Sequence, residues 1–266
     1  MQLGPVARAQ GVRLLAFDEI DSTNDEARRL AAAGERGPLW VVAARQTKGR
    51  GRLGREWISS SGNLHASLLL SGFGPERSAP QLGFVAGVAA FEALTALVGD
   101  ASRFALKWPN DLLLDGAKLG GILLEAVSAP TGDPRTPREV KAIVGIGVNC
   151  RAAPVGLPFE ARALADTGAT VSPAGLLARL SDEWIAAFDA WRGGEGFATL
   201  RARWLERAAG IGAEIRVALP RETLHGRFET LDPLGRLILA TADGERAIDA
   251  GEVMLPELSG AKGARA

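Results

Sequence analysis

Between Gln81 and Val98 the chain carries QLGFVAGVAAFEALTALV, a run of helical length that is apolar over most of its surface. A helix with one apolar stripe can lie on a surface, whereas one apolar nearly all round must be enclosed. The rest of the chain therefore has to supply layers around it. Short apolar, β-branched runs offer them: Val12 to Phe17, Leu39 to Ala44 (LWVVAA), Asn63 to Leu70 (NLHASLLL), Gly120 to Ala126 and Ala142 to Val148. Arg103 to Lys107 and Asp111 to Leu114 are two further strands, and Asp115-Gly116 supplies a hairpin turn between Leu114 and Lys118.

Helices are expected in three other places. Ser22 and Thr23 precede one from about Asn24 to Ala33, with Thr23 and Glu26 at capping-box spacing. Ser172-Pro173 starts another by cap and first-turn chemistry, and Leu177, Leu180, Trp184, Phe188 and Trp191 give it a core-facing stripe. A short third follows at about Gly196 to Ala208. Residues 1–10 are expected to be a short mobile extension, and Ser128 to Arg138 (SAPTGDPRTPR), with three prolines, a surface loop. From Ile211 the pattern changes to about five short strands punctuated by Asp232-Pro233-Leu234-Gly235 and Asp243-Gly244, which predicts a small appended β-barrel.

Bulk properties exclude several function classes. Thirty-one basic residues balance thirty-one acidic ones, so the overall charge gives no reason to expect nucleic-acid binding. Cys150 is the single cysteine, which rules out an intrachain disulfide and a cysteine-based zinc site; it reads as a buried structural thiol. The two histidines, His65 and His225, are too far apart in sequence to suggest a metal site, and His65 reads as a packed sheet residue. No apolar run suggests a membrane span and no signal pattern opens the chain, so the expectation is a cytoplasmic protein.

Three segments carry chemistry. In Gln46-Thr47-Lys48-Gly49-Arg50-Gly51-Arg52-Leu53-Gly54-Arg55, cations are interleaved with glycines. Glycine lets backbone N–H groups approach an anion, and arginine neutralises several phosphate oxygens at once. Gly49, Gly51 and Gly54 satisfy G-x-G-x-x-G, but no helix follows, so this is not a dinucleotide fingerprint. The loop is expected to be mobile without a ligand, since its glycines are costly to fix and its like charges repel. The second segment runs Lys107-Trp108-Pro109-Asn110-Asp111 and then Lys118-Leu119-Gly120-Gly121. Its lysines end a hairpin and could face one site or simply lie at the surface. In the third, Val144-Gly145-Ile146-Gly147-Val148-Asn149, alternating glycines leave one strand face bare for close approach.

Together, QTKGRGRLGREW, KWPNDLLLDGAKLGGILLE and VGIGVN resemble the signature blocks of biotin protein ligases, in that family's order, and Asp21-Ser22-Thr23-Asn24 resembles a fourth. The resemblance runs from about residue 15 to residue 256. It implies an α+β fold, a mixed β-sheet flanked by helices as in class II aminoacyl-tRNA synthetases, with a C-terminal SH3-like β-barrel. The implied division is an extension at 1–14, a catalytic domain at 15–209, the barrel at 210–257 and a tail at 258–266. The implied activity is ATP-dependent formation of biotinyl-5'-AMP, then transfer of biotin to a lysine of a biotin carboxyl carrier protein.

Carried over by motif, Lys118, Arg52 and Arg50 would be catalytic. Ser22, Thr23, Asn24, Gln46, Gly49, Arg50, Arg52, Lys118, Gly120 and Gly121 would bind biotin. Arg50, Arg52, Arg55, Trp57, Lys107, Asn110, Lys118 and Asn149 would bind ATP. Mg2+ is implied through the ATP phosphates, with Asp111 a structural carboxylate rather than an assigned ligand. No DNA or membrane partner is implied; a homodimer is compatible but not fixed. About fifteen residues precede the core, too few for the DNA-binding domain some members carry, so a repressor role is not expected.

A lipoate or octanoate ligase or transferase shares the fold and the acyl-to-lysine outcome, but its linear acyl chain would not need polar ureido-binding groups. A kinase or nucleotide-binding regulator is disfavoured because no H-R-D, D-F-G or G-x-x-x-x-G-K-[ST] element occurs. Neither histidine sits in a hydrolase elbow context.

Overall fold

The structure is a computed structural model that describes residues 1–133 and 135–256. In chain order its elements are α1 (Pro5–Ala9), β1 (Arg13–Ile20), α2 (Thr23–Ala32), β2 (Leu39–Gln46), β3 (Leu64–Leu70), α3 (Leu82–Val98), β4 (Phe104–Lys107), β5 (Asp111–Leu114), β6 (Ala117–Asp133), β7 (Thr136–Val148), α4 (Pro173–Trp191) and α5 (Phe197–Leu205). Five strands close the chain: β8 (Glu214–Ala218), β9 (Thr223–Leu231), β10 (Leu237–Thr241), β11 (Gly244–Ile248) and β12 (Glu252–Met254).

A seven-stranded mixed sheet, ordered β1-β2-β3-β7-β6-β5-β4, divides the larger part into two apolar layers. Only β1 and β2 pair in parallel, with α2 as their crossover; every other neighbour is antiparallel. Period-two alternation sends Trp40, Leu64, Leu68, Ile122, Val144 and Ile146 into one layer with α3 and α4. Leu39, Val41, Leu69 and Ile143 face the other layer, where Ala27 and Ala31 of α2 cover them.

The enclosed helix sits where its sequence demands. Eleven residues of α3 are buried, and its end is set by Gly99 in the left-handed conformation. With the 3-10 turn before it, Glu76–Val98 is long and apolar enough to cross a membrane by length and composition alone. In this fold the apolarity is spent on the core: Phe84 meets Phe197 and Trp204 edge-on, and Trp40 meets Trp184 in the same way.

Three local expectations need correction. Pro130 and Pro137 do not lie in a loop: β6 and β7 pair onward to Asp133 and Thr136 as a two-stranded ribbon, while Pro134 lies outside the described residues. A two-stranded ribbon has an outer edge where proline costs no ladder bond, so proline is tolerated there. Residues 1–10 are docked rather than loose, with Leu3 and Ala7 buried and Gly4 N–H donating to Ser181 Oγ at 2.9 Å. Helix α2 is capped by Ser22, whose Oγ accepts from Asp25 N–H, and not by Thr23, whose hydroxyl is drawn to Gln46. At the far end of α2, the buried ammonium of Lys141 donates to the carbonyls of Ala31 (3.3 Å) and Glu35 (2.9 Å), where the helix dipole favours a cation.

The five C-terminal strands form one antiparallel sheet, β11-β10-β9-β8-β12, over Val217, Phe228, Leu237 and Leu239. That agrees with the strand count expected of the SH3-like part. It is sewn to the larger part by backbone bonds between Leu106 and the segment after α5, and by Trp108 Nε1, which donates to Gly235 O at 3.1 Å. Gly235 lies flat on Phe84, where a Cβ would come within 2.6 Å of the ring. Replacing Trp108 with phenylalanine should leave the buried Gly235 carbonyl without its donor and cost about 1–3 kcal/mol. A urea titration followed by circular dichroism checks this, and an unchanged midpoint would refute the bond's role.

Candidate functional site

The middle of the sheet has a bare strip. Gly145 and Gly147 share a face of β7, Gly121 lies opposite Gly147 on β6, and His65 and Ser67 flank them on β3. Helix α2 covers one end of this face and stops short of the other. Into the space left by absent side chains come two large groups. Asn24, at the start of α2, presses its amide against Gly145, where a Cβ would collide with it. The indole of Trp57 lies on Gly147, within 2.6 Å of where a Cβ would be, and reaches Gly121. Trp57 Nε1 and His65 Nδ1 are both buried and neither has a hydrogen-bond partner among the described residues.

A polar network lines the α2 end of the strip. Gln46, at the end of β2, accepts at Oε1 from Thr23 N–H (2.8 Å) and Thr23 Oγ1 (3.0 Å). Its Nε2 donates to Ser59 Oγ at 3.0 Å. Ser67 Oγ lies 2.7 Å from Thr23 Oγ1 and 2.6 Å from Asn24 Oδ1. The Ser-Thr-Asn turn and Gln46 are thereby brought together as the motif blocks imply, and Ser22 serves as the cap of α2.

The opposite end is cationic. Asp111 bridges two lysines, with Oδ1 2.6 Å from Lys118 Nζ and Oδ2 3.0 Å from Lys107 Nζ. Of the two readings open for these lysines, the structure selects the shared site, because a β4–β5–β6 meander folds both onto one carboxylate. Arg52 is half-buried, donating to Asn110 Oδ1 (3.2 Å) and Gly251 O (3.5 Å). Burial pulls its guanidinium below the usual arginine value, with the charge of Asp111 opposing that shift. Arg55 pairs with Glu252 of β12, which it holds below the usual carboxylate range. Four cations thus face two carboxylates, leaving an excess of positive charge beside the bare strip. Such a cluster favours a polyanion such as a phosphate chain.

The Gly/Arg loop joins the two ends. Gly49 cannot carry a side chain, since a Cβ there would strike the Trp57 carbonyl, and Trp57 N–H closes on Gly49 O at 2.9 Å. Gly120 is equally confined, its Cβ position being 2.5 Å from Gly147 O, whereas Gly121 is open toward Lys118 and Trp57. A second loop, 151–163, clips onto Lys118 through Glu160 O and Arg162 N–H and sets Phe159 under the Lys118 ammonium, 5.5 Å from the ring centroid.

Not every candidate faces this space. The Arg50 guanidinium turns to Asp25 and Glu125, away from the lysines. Asn149 is buried with its amide spent on Arg162 O (3.2 Å) and Asn63 (3.4 Å), where it braces the second loop. Asn110 divides its amide between Arg52 and Ile122 O. His65 packs within the sheet, its pKa lowered by burial. Ser67, Asp25, Glu125 and Glu252 escaped sequence reasoning. The first could have been found by counting twos along β3 from His65, but the others meet the site only through tertiary pairing. Among the described residues no group of three or more His, Cys, Asp or Glu could hold a metal ion.

Comparisons with known proteins place the chain among relatives of known family. Residues 16–148 match the model of the biotin/lipoate A/B protein ligase family, and residues 210–255 that of the biotin protein ligase C-terminal domain. The chain is 42% identical to the biotin–[acetyl-CoA-carboxylase] ligase of Paracoccus denitrificans, over 88% of this chain and 96% of that one. It is 30% identical to the bifunctional ligase/repressor BirA of Bacillus subtilis, over 96% of this chain and 78% of the relative. Among solved structures, the biotin protein ligase of Aquifex aeolicus in complex with biotin and ATP superimposes with a TM-score of 0.76 at 29% identity, covering 91% of this chain and 97% of that one.

Cys150, two residues past the glycine-rich strand, is no nucleophile here: burial pushes its thiol up to about 12. At pH 8 the folded protein should therefore resist a thiol-specific disulfide reagent and react with one equivalent on unfolding. Rapid labelling of the native protein would contradict that.

Proposed function

The chain belongs to the biotin/lipoate A/B protein ligase family, and from that premise we propose that the glycine strip and its cationic end are the two halves of a biotin protein ligase site. The reaction is activation of biotin by ATP and transfer of the biotinyl group to a protein lysine. The observation that carries this reading is the Lys107–Asp111–Lys118 cluster with Arg52, set at one end of a glycine strip lined by Asn24 and Trp57.

A carboxylate does not acylate an amine at neutral pH until its oxygen becomes part of a good leaving group. In the first step a biotin carboxylate oxygen attacks the α-phosphorus of ATP, the bond to pyrophosphate breaks, and biotinyl-5'-AMP forms. Negative charge gathers around phosphorus as this happens. Lys118 and Arg52 would stabilise it, being fixed in place beforehand by Asp111 and Asn110. In the second step the neutral amine of the acceptor lysine attacks the acyl carbon, the bond to AMP breaks, and the amine loses its proton.

In this reading Ser22, Thr23 and Gln46 address the biotin ureido ring, with Asn24 and Ser67 holding them in place. Gly49, Gly120 and Gly121 wall the biotin tail, and Trp57 supplies a flat apolar face. Lys107, Arg55 and Asn110 lie toward the nucleotide, with Asn149 bracing the loop beside Lys118. Asp111 is already neutralised by two lysines, so Mg2+ is assigned to the ATP phosphates rather than to a protein cage. The acceptor proposed is a biotin carboxyl carrier protein, in the cytoplasm, without a DNA partner, in keeping with the balanced charge. A lipoate ligase is not favoured.

Biotin-dependent exchange of pyrophosphate into ATP, with lipoate as control, tests the reading. Exchange should require biotin, and Lys118→Ala should lower it by about 10²–10³-fold, the usual cost of one fixed transition-state donor. Exchange driven by lipoate alone would overturn the substrate; a Lys118→Ala enzyme with near-normal exchange would overturn the residue's role.

A further inference from the structure

Arg50 stands among the cations that the motif would bring to the ligand, yet its charge is spent elsewhere. Its Nη2 lies 2.6 Å from Asp25 Oδ1, and its Nε 3.3 Å from Asp25 Oδ2. On its other side Nη2 is 3.3 Å from Glu125 Oε2. Arg28 closes the figure, 3.0 Å from Asp25 Oδ1 at one end and paired with Glu125 Oε1 at the other. Two arginines and two carboxylates alternate in a closed ring of zero net charge. The Asp111 cluster, by contrast, carries surplus positive charge.

The ring's members come from three separate elements. Asp25 and Arg28 are on the first turns of α2, Glu125 is on β6, and Arg50 is in the Gly/Arg loop, one residue after Gly49. Glu125 Oε2 also accepts from Asn24 Nδ2 at 2.7 Å, so the ring connects to the amide wedged over Gly145. A second ionic point, Arg55 with Glu252, holds the far end of the loop. Between the two lie Gly51 and Gly54, which would otherwise leave the backbone free to wander.

We propose that Asp25 and Glu125 are positioning residues: they form a carboxylate latch that grips Arg50 and so holds Gly49 and Trp57 over the glycine strip. Arg50 then acts on the loop, not on the ligand's charge, and the latch sets how firmly the strip is covered. The inference rests on the biotin ligase reading for its kinetic consequence but not for its structural one.

The test is amide hydrogen exchange of the full chain without any ligand, followed by steady-state kinetics with biotin. Glu125→Gln and, separately, Asp25→Asn should speed exchange at residues 49–57 by roughly tenfold, as loss of a coupled ion-pair network does. The same variants should raise the biotin KM by a similar factor and change kcat less than threefold, with Arg50→Lys giving a smaller KM rise than Arg50→Ala. Unchanged protection of residues 64–70 and 142–148 shows that a variant is folded; should Glu125→Gln fail this, Asp25→Asn, at the outer side of the ring, decides. If loop exchange in a folded carboxylate variant matches the parent, the latch is wrong. If in addition Arg50→Ala alone raises KM, Arg50 acts on the ligand directly. Because exchange is read without ligand, a chain inactive toward biotin would sink the ligase reading and leave the latch still decided.

Discussion

The absence of side chains at Gly145 and Gly147 is the constraint on which the rest of the site depends. A sheet face buried under a helix is normally filled by residues that alternate toward it. Here the alternation continues in sequence but delivers only hydrogen at two positions, with Gly121 doing the same on the neighbouring strand. The space admits an amide at one end and an indole at the other. Any larger residue on β7 would push out Asn24 or Trp57, and with them the start of α2 or the Gly/Arg loop. The strip therefore sets where both elements can sit.

Electrostatics then separates two groups of charges that look alike in sequence. Around Lys118 the cations outnumber the carboxylates, so the surplus is available to an anion. Around Arg50 the charges cancel in a closed ring, which leaves that guanidinium no surplus charge beside its own partners. A partly buried cation is tolerable only when paired, and the number of partners decides whether it still has charge to offer. The same logic governs Lys141, whose buried ammonium is tied to carbonyls at the end of α2 and so supports the helix that carries the Ser-Thr-Asn turn.

The C-terminal sheet takes part in the site rather than merely following it. Glu252 holds Arg55, Gly251 O accepts from Arg52, and Val253 O accepts from Lys107. Trp108, next to Lys107, donates back to the turn at Gly235. The loop that bears the cations is thus stretched between the two sheets, fastened at α2 and β6 on one side and at β12 on the other. Its position reports on both.

Much of this was legible in the residues. The enclosed helix, the four central strands, the hairpin at Asp115-Gly116, the cap at Ser172 and the change to short strands after Ile211 follow from local pattern, because period and turn chemistry act over a few residues. The Gly/Arg loop, the two lysines ending a hairpin and the alternating glycines stand out in the sequence for the same reason. Local pattern misled in two places: Pro130 and Pro137 suggested a loop in what is a paired ribbon, and Thr23 suggested a cap although Gln46, far along the chain, claims its hydroxyl. What only the tertiary structure decided is which cation meets which carboxylate. Arg50 and Arg52 are two residues apart with identical side chains, yet one closes a neutral ring and the other joins a cationic cluster. That difference is set by carboxylates brought in from α2, β5 and β6, whose positions no spacing along the chain encodes.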